Sequence, residues 1–457
     1  MKIIILGAGQ VGYSVAANLV SEANDITVID TNPRILQALS ERLDLRVING
    51  AASHPSVLEK AGADDADMII AVTNSDETNM IACQVAYTLF HTPTKIARVR
   101  KTEYLNKPVL FTQEALPVDV LISPEQLVTE YIERLISVPG ALQVLDFAEG
   151  KAQMIAIKVM QGSLLAGQKI AEFGNKLPIV DYRIVSLFRE GQAIIPDGET
   201  EIYQDDEVFI IGAPKNIQIL LKSIRQQDKP VKRIMIAGGG NIGMQLAKAL
   251  ERNYQVKLIE CETDQAQRAA QQLENTIVLR GDAADEKLLV EENIDDVDVF
   301  CALTNADEAN IISCMLAKRL GARKVMSLIN RAAYVDLVQS DVIDIAISPQ
   351  QATIGSLLAH IRRADVVVVH SLRRGAAEAI EAVAHGDNKS SKVVGRKIEE
   401  ISLPPDTSIG AIVRDENVLI AHHDTTINAE DHVILLVGNK KYVSKVEHLF
   451  QVNVTFL

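Results

Sequence analysis

The chain has 457 residues, 47% of them hydrophobic and only 4% aromatic, with no Trp and a formal net charge of −14. That length suggests about three or four domains, with cores packed from Val, Ile, Leu and Ala. So acidic a balance argues against broad nucleic-acid binding, which needs a basic footprint, and against charge-driven attachment to anionic lipid.

Met1-Lys2 runs directly into an apolar strand pattern, so no secretory leader is expected. No apolar stretch approaches the roughly 18 residues of a membrane span; Val366-Val367-Val368-Val369 has only strand length. A cytosolic protein is expected.

In chain order, strand and helix patterns alternate. Ile3–Leu6, Ile26–Asp30, Arg46–Ile48, Met68–Val72 and Lys95–Val99 read as strands. Val11–Val20, Ile35–Glu41, Pro55–Ala61 and Glu77–Leu89 read as the helices between them. Continuous apolar strands separated by helices indicate a parallel sheet buried on both faces, here a doubly wound dinucleotide fold. Pro124–Leu135 reads as a helix leaving this unit, and Pro139-Gly140 breaks it. Shorter alternating runs follow at Gln153–Val159, Arg183–Phe188 and Glu207–Ile211, as expected of a small α+β lobe. Residues 225–230, Arg-Gln-Gln-Asp-Lys-Pro, form a polar linker.

The whole pattern then recurs. Val72-Thr73-Asn74-Ser75-Asp76-Glu77-Thr78-Asn79 matches Leu303-Thr304-Asn305-Ala306-Asp307-Glu308-Ala309-Asn310, and Ile122-Ser123-Pro124 matches Ile347-Ser348-Pro349. In the small lobes, Gly167-Gln168-Lys169-Ile170 matches Gly395-Arg396-Lys397-Ile398, Leu177-Pro178 matches Leu403-Pro404, and Asp206-Glu207-Val208 matches Asp431-His432-Val433. The expected organisation is α/β: two tandem Rossmann-like parallel-sheet domains, 1–138 and 231–365, each followed by a small α+β lobe, 139–226 and 366–457.

The chemistry is concentrated in a glycine-rich loop that occurs twice. Gly7, Ala8, Gly9, Gln10, Val11 and Gly12 have G-x-G-x-x-G spacing, and Gly238, Gly239, Gly240, Asn241, Ile242 and Gly243 repeat it. Each copy follows a strand, opens a helix and reaches an acid, Asp30 or Glu260, at about the expected 20 residues. The first glycine permits the turn, the second lets backbone approach a pyrophosphate, and the third lets helix pack on sheet. The helix N-terminus favours the anion. A carboxylate at Asp30 or Glu260 accepts from ribose hydroxyls and repels a 2′-phosphate by about 4 kcal/mol per unit charge at 4 Å and an effective dielectric of 20. NAD or ATP/ADP is therefore expected rather than NADP.

Gly50-Ala51 and Gly281-Asp282-Ala283 follow the third strand of each copy, near where adenine lies, and differ between copies. Thr73-Asn74 and Thr304-Asn305 follow the fourth strand, at the carboxyl edge where ligands bind; they are candidates for phosphate or ribose contact. Asp76-Glu77 and Asp307-Glu308 are candidate helix caps. Arg98 and Lys101 lie at the fifth strand and can contact phosphate; the second copy has no match to Arg98 and keeps Arg331.

Cys83, Cys261, Cys301 and Cys314 have no CxxC spacing; Cys83 and Cys314 occupy one position in the two copies of a helix and are expected to be reduced core residues. His422-His423 are expected at the surface. No nucleotide-hydrolysis loop, metal motif or paired base and nucleophile is present, so neither catalysis nor a metal is expected.

Taken together and in order, these residues resemble the RCK (KTN) regulatory module of potassium conductance, across almost the whole chain and twice over. The resemblance implies that the large lobes bind NAD⁺ or NADH and ATP or ADP. It implies RCK C-terminal lobes after them, and a homotetramer supplying eight modules to a cytosolic ring. It further implies docking on the cytoplasmic face of an integral membrane channel-like partner, TrkH or TrkG, with control of potassium permeation. The linker helices Pro124–Leu135 and Gln350–Arg362 are the candidate levers. Two alternatives remain open on sequence: a regulatory subunit of another cation transporter or antiporter, and a tandem NAD-dependent oxidoreductase.

Overall fold

In a computed structural model, the described residues are 1–20, 24–173, 180–224, 229–331, 334–335, 338, 342–361, 366–372 and 376–452. Most of the 225–230 linker, the Leu177-Pro178 pair, Arg362 and the expected boundaries at 226 and 365 lie outside them. Contacts divide the chain into two compact units, Met1–Leu127 with Pro349–His360, and Val128–Ser348 with Ile361–Leu457.

The first unit holds β1 (Lys2–Leu6), α1 (Gln10–Val20), β2 (Asp25–Asp30), α2 (Pro33–Ser40), β3 (Arg46–Asn49), α3 (Pro55–Lys60), β4 (Met68–Ala71), α4 (Asp76–Phe90), β5 (Thr94–Arg98), α5 (Thr102–Leu105) and β6 (Val120–Ile122). The sheet order is β3-β2-β1-β4-β5-β6, all parallel. This is the doubly wound dinucleotide order, with its switch point between β1 and β4. The apolar runs explain it. Ile3, Ile4, Ile5 and Leu6 are all buried, as a central strand covered on both faces requires. One core of this unit joins Leu6, Ile29, Leu58, Ile69, Met80, Cys83 and Val99.

Next comes α6 (Pro124–Ser137), whose first turn belongs to the first unit and whose remainder belongs to the second. The first small lobe contains β7 (Ala141–Phe147), β8 (Ala152–Lys158), β9 (Gln168–Lys169), α7 (Ile170–Phe173), β10 (Tyr182–Arg189), β11 (Gln192–Ile194), β12 (Glu201–Ile202), β13 (Glu207–Gly212) and α8 (Pro214–Ile224). Five of its strands form an antiparallel sheet, β11-β10-β13-β8-β7.

The second nucleotide-type domain repeats the first as β14 (Arg233–Ala237), α9 (Asn241–Leu250), β15 (Gln255–Glu260), α10 (Thr263–Gln272), β16 (Ile277–Arg280), α11 (Glu286–Glu291), β17 (Val299–Ala302), α12 (Asp307–Arg319), β18 (Lys324–Leu328) and β19 (Ile345–Ile347). Its order is β16-β15-β14-β17-β18-β19, again parallel. Helix α13 (Pro349–Ile361) follows. The second small lobe has β20 (Val366–Leu372), β21 (Ala377–Val383), β22 (Thr407–Arg414), β23 (Asn417–Ile420), β24 (His432–Val437) and α14 (Val443–Phe450), with sheet order β20-β21-β24-β22-β23.

Within the second unit the two small sheets share one core. Phe147, Met154, Phe188, Phe209 and Ile211 from the first pack in one cluster with Leu372, Ala379, Val413, Ile434 and Leu436 from the second. Fully buried Glu381 ties the two sheets together across this seam. Its carboxylate accepts from the Ala148 N–H at 2.8 Å and meets His432 Nδ1 at 2.6 Å. Gly410 packs closely here: a Cβ would lie 2.8 Å from Val185 Cγ1, so a larger residue would force the two sheets to shift.

Candidate functional site

The first cleft is built at the carboxyl end of β1. Gly7 takes φ +103°, a conformation that favours glycine. Its N–H donates to the Ile29 carbonyl at 2.8 Å, and a Cβ there would lie 3.0 Å from Thr73 Cα. At Gly12 a Cβ would fall 1.8 Å from the Gly7 carbonyl oxygen, so α1 is pressed onto the turn as closely as backbone allows. Gly9 is different: a Cβ there would meet nothing within 4 Å. The loop therefore presents an open backbone edge between two tightly packed glycines, the shape a pyrophosphate needs. The second copy repeats it. Gly238 has φ +106°, a Cβ on Gly243 would fall 1.9 Å from the Gly238 carbonyl, and Gly240 faces open space.

The two acids close the loops. Asp30 accepts from the Ala8 N–H at 2.7 Å and the Asn32 N–H at 2.8 Å. Glu260 accepts from the Gly239 N–H at 2.6 Å, the Glu262 N–H at 2.9 Å and the Cys261 thiol at 3.4 Å. An ionised carboxylate has about four acceptor sites, so both acids retain capacity for ribose hydroxyls while pinning the second residue of the loop. The longer Glu260 arm explains an otherwise odd difference. A Cβ on Gly239 would lie 3.0 Å from Glu260 Oε2, whereas the shorter Asp30 leaves room for Ala8. Gly50 and Gly281 follow β3 and β16, their N–H groups donating to the Asp30 and Glu260 carbonyls at 3.0 Å each. Asp282 in the second copy accepts from the Ala284 N–H at 2.8 Å and so shapes the turn around Ala283; Ala51 cannot.

At the fourth strand the structure adds an internal role for the threonines. Thr73 is engaged internally: its N–H and hydroxyl donate to Asn79 Oδ1 at 3.0 and 2.7 Å. Asn79 is fully buried, and its amide donates to the carbonyls of Thr73 and Arg98. Thr304 and Asn310 repeat the arrangement, with Leu328 in place of Arg98. The asparagine that ends the Thr-Asn run is thus a staple joining the β4 and β5 edges. Asp76 and Asp307 are not caps. Ser75 caps α4 by accepting from the Thr78 N–H. Asp76 instead accepts from the N–H groups of Arg100 and Lys101, and Asp307 from those of Asn330 and Arg331.

Beside this staple lies Arg98, at the end of β5. Its Nε is buried without a hydrogen-bond partner, and no described carboxylate pairs with it. Burial, with Arg100 nearby, lowers its pKa. A buried orphan guanidinium nitrogen at the carboxyl edge of the sheet calls for an anion. Lys101 and Arg331, by contrast, are already in exposed pairs with Glu77 at 2.6 Å and Glu308 at 2.9 Å. The Lys101 hydrogen bond holds the Glu77 carboxyl down at about 2.

Cys83 and Cys314 are buried as expected, Cys301 is buried too, and burial raises the Cys83 and Cys301 thiols to about 12. Cys261 is exposed: it follows the strand-end acid, outside the sheet. His422 and His423 are exposed. Among the described residues no acidic, His or Cys cluster suits a metal, and no helix is long and apolar enough to cross a membrane.

Known proteins place this architecture. The TrkA-N domain family matches residues 3–124 and 234–349, and the TrkA-C domain family matches 154–225 and 388–451. The chain is 61% identical to the Trk system potassium uptake protein TrkA of Vibrio alginolyticus, over 100% of both chains. It is 58% identical to the protein of that name from Halomonas elongata and 50% to that from Haemophilus influenzae, each over 100% of both chains. All three are named as potassium uptake proteins, not as enzymes. Among solved structures, the GsuK RCK domain superposes with a TM-score of 0.62 at 20% identity, covering 98% of this chain and 94% of that one. A GsuK channel described as bound to NAD superposes with a TM-score of 0.61 at 20% identity, covering 98% and 78%. These likenesses support the tandem RCK fold. The chain belongs to the TrkA family of Trk potassium uptake proteins.

Proposed function

We propose that this chain is the nucleotide-sensing regulatory subunit of a potassium uptake system. The observation that carries the reading is the pair of open backbone edges at Gly9 and Gly240; the orphaned Arg98 nitrogen at the end of β5, on the same carboxyl edge of the first sheet, adds to it. NAD⁺ or NADH, and ATP or ADP, lie with phosphates on the loop and ribose on Asp30 or Glu260. The first cleft suits a densely charged phosphate tail, and the second, with Leu328 in place of Arg98, suits a dinucleotide better.

Nucleotide controls permeation only through different affinities for different shapes of the assembly, with coupling typically about 1–3 kcal/mol per site. The assembly is a homotetrameric ring of eight modules, peripheral on the cytoplasmic face of the membrane, docked on a channel-like subunit of the TrkH or TrkG type. Its lobes run 1–138, 139–226, 231–365 and 366–457. The test is Gly9→Val with calorimetry. Filling the open edge abolishes binding at the first cleft without unfolding the chain; unchanged nucleotide affinity would remove the pyrophosphate assignment.

A further inference from the structure

Helix α13 lies between two elements of the second half of the chain, β19 before it and the second small lobe after it. By contacts, however, Pro349–His360 belongs with Met1–Leu127. At its start the Gln350 amide donates to the Gln10 carbonyl at 3.2 Å and bonds the Ser14 hydroxyl. Gln10 is the first residue of α1, the helix that the glycine loop opens and whose N-terminal dipole favours an anion. We infer that Gln350 is a positioning residue that couples occupancy of the first cleft to the second half of the chain. The inference rests on reading that cleft as a nucleotide site.

The internal repeat supports it. The residue matching Gln350 on α6 is Glu125, which pairs with Arg100 at 2.8 Å and so ties its helix to the end of its own β5. In the second copy the Arg100 position is Asn330, whose amide is engaged with Asp307 at 3.0 Å. A carboxylate at position 350 would have no such cation. Glutamine instead supplies an N–H donor, which the Gln10 carbonyl and the Ser14 oxygen can both accept. Thr353 and Leu357, one and two turns on, are fully buried, so the helix is seated along its length. A phosphate settling on the N–H groups at the start of α1 therefore acts on the same turn that Gln350 grips from its side. The next described element after α13 in the chain is β20.

The test uses the full chain with Gly240→Val to silence the second cleft, and compares Gln350 with Gln350→Ala and Gln350→Glu. The glutamate keeps the shape but removes the amide donor. Binding of ATP and NADH is read by calorimetry, and amide exchange across 349–361 is read with and without nucleotide. With Gln350, nucleotide slows exchange in that helix about three- to tenfold, the range one or two hydrogen bonds carry. In both variants that change is lost, while the first cleft still binds within about tenfold. Two results overturn the inference and leave the cleft standing: binding with no exchange response in the Gln350 protein, or an equal response in the variants. Absence of binding heat with Gln350 in place overturns the cleft reading and the inference together.

Discussion

Replacing Arg98 with leucine converts the first cleft to the composition of the second, where Leu328 occupies the matching place, and should move affinity and stability independently. Free, the guanidinium is half-buried with an unpartnered Nε. Bound, it makes a charge-assisted hydrogen bond to phosphate, worth about 1.5–3 kcal/mol. At about 1.4 kcal/mol per tenfold, Arg98→Leu should weaken ATP and ADP at this cleft by roughly 10- to 150-fold. Adenosine, which lacks phosphate, should bind as before. The melting temperature should not fall, because the change removes a buried polar atom that lacked a partner. Calorimetry in a Gly240→Val background gives the affinities, and scanning fluorimetry without nucleotide gives the stability. Unchanged ATP affinity would refute the reasoning, as would an equal loss for adenosine. A fall in melting temperature of several degrees would show instead that Arg98 serves the fold.

Gly12→Ala should destabilise the first unit by about 3 kcal/mol or more, since its Cβ would lie 1.8 Å from a backbone oxygen that cannot move aside. At about 2–4 °C per kcal/mol, thermal unfolding should begin roughly 6–12 °C earlier. NADP(H) should bind either cleft far more weakly than NAD(H), because a 2′-phosphate meets Asp30 or Glu260; competition titrations decide this, and Asp30→Asn should narrow the gap at the first cleft. Burial opposes ionisation of Glu251, but bonds from the Asn275, Thr276 and Glu274 N–H groups and the Thr276 hydroxyl prevail and lower its pKa below the usual 4.5. Its contribution to stability is therefore full above about pH 4.5 and lost as pH falls through the lowered value. Glu251→Gln should lower stability at neutral pH and flatten the acid limb of a melting-temperature profile.

The parallel sheets were legible because runs such as Ile3–Leu6 are apolar throughout, and the G-x-G-x-x-G spacing located both tight strand-to-helix turns with their open backbone edges. The acids at Asp30 and Glu260 were legible by distance along the chain. Asn79 was not, because a lone asparagine in a helical pattern does not show that it faces inward. Nor does spacing show that Asp76 reaches the N–H groups after β5 rather than its own helix. Helix α13 was placed by pattern, but not its seat: in a chain that repeats itself, a linker helix has two nearly equivalent surfaces available, and composition does not choose between them. The engagement of Lys101 with Glu77 was equally hidden, since it joins the first turn of α4 to the segment after β5, which meet only in the folded domain.

The seam between the small sheets bears on whether the halves can exist apart. A fragment ending near residue 228 would carry Phe147, Phe188 and Phe209 without Leu372, Ile434 and Leu436 to cover them. Such an orphaned half must aggregate or find a second molecule of its own kind and lay one sheet on the other. Any single-module forerunner of this chain would have faced the same obligation, and joining two copies end to end turns that pairing of strangers into an internal fact of one polypeptide.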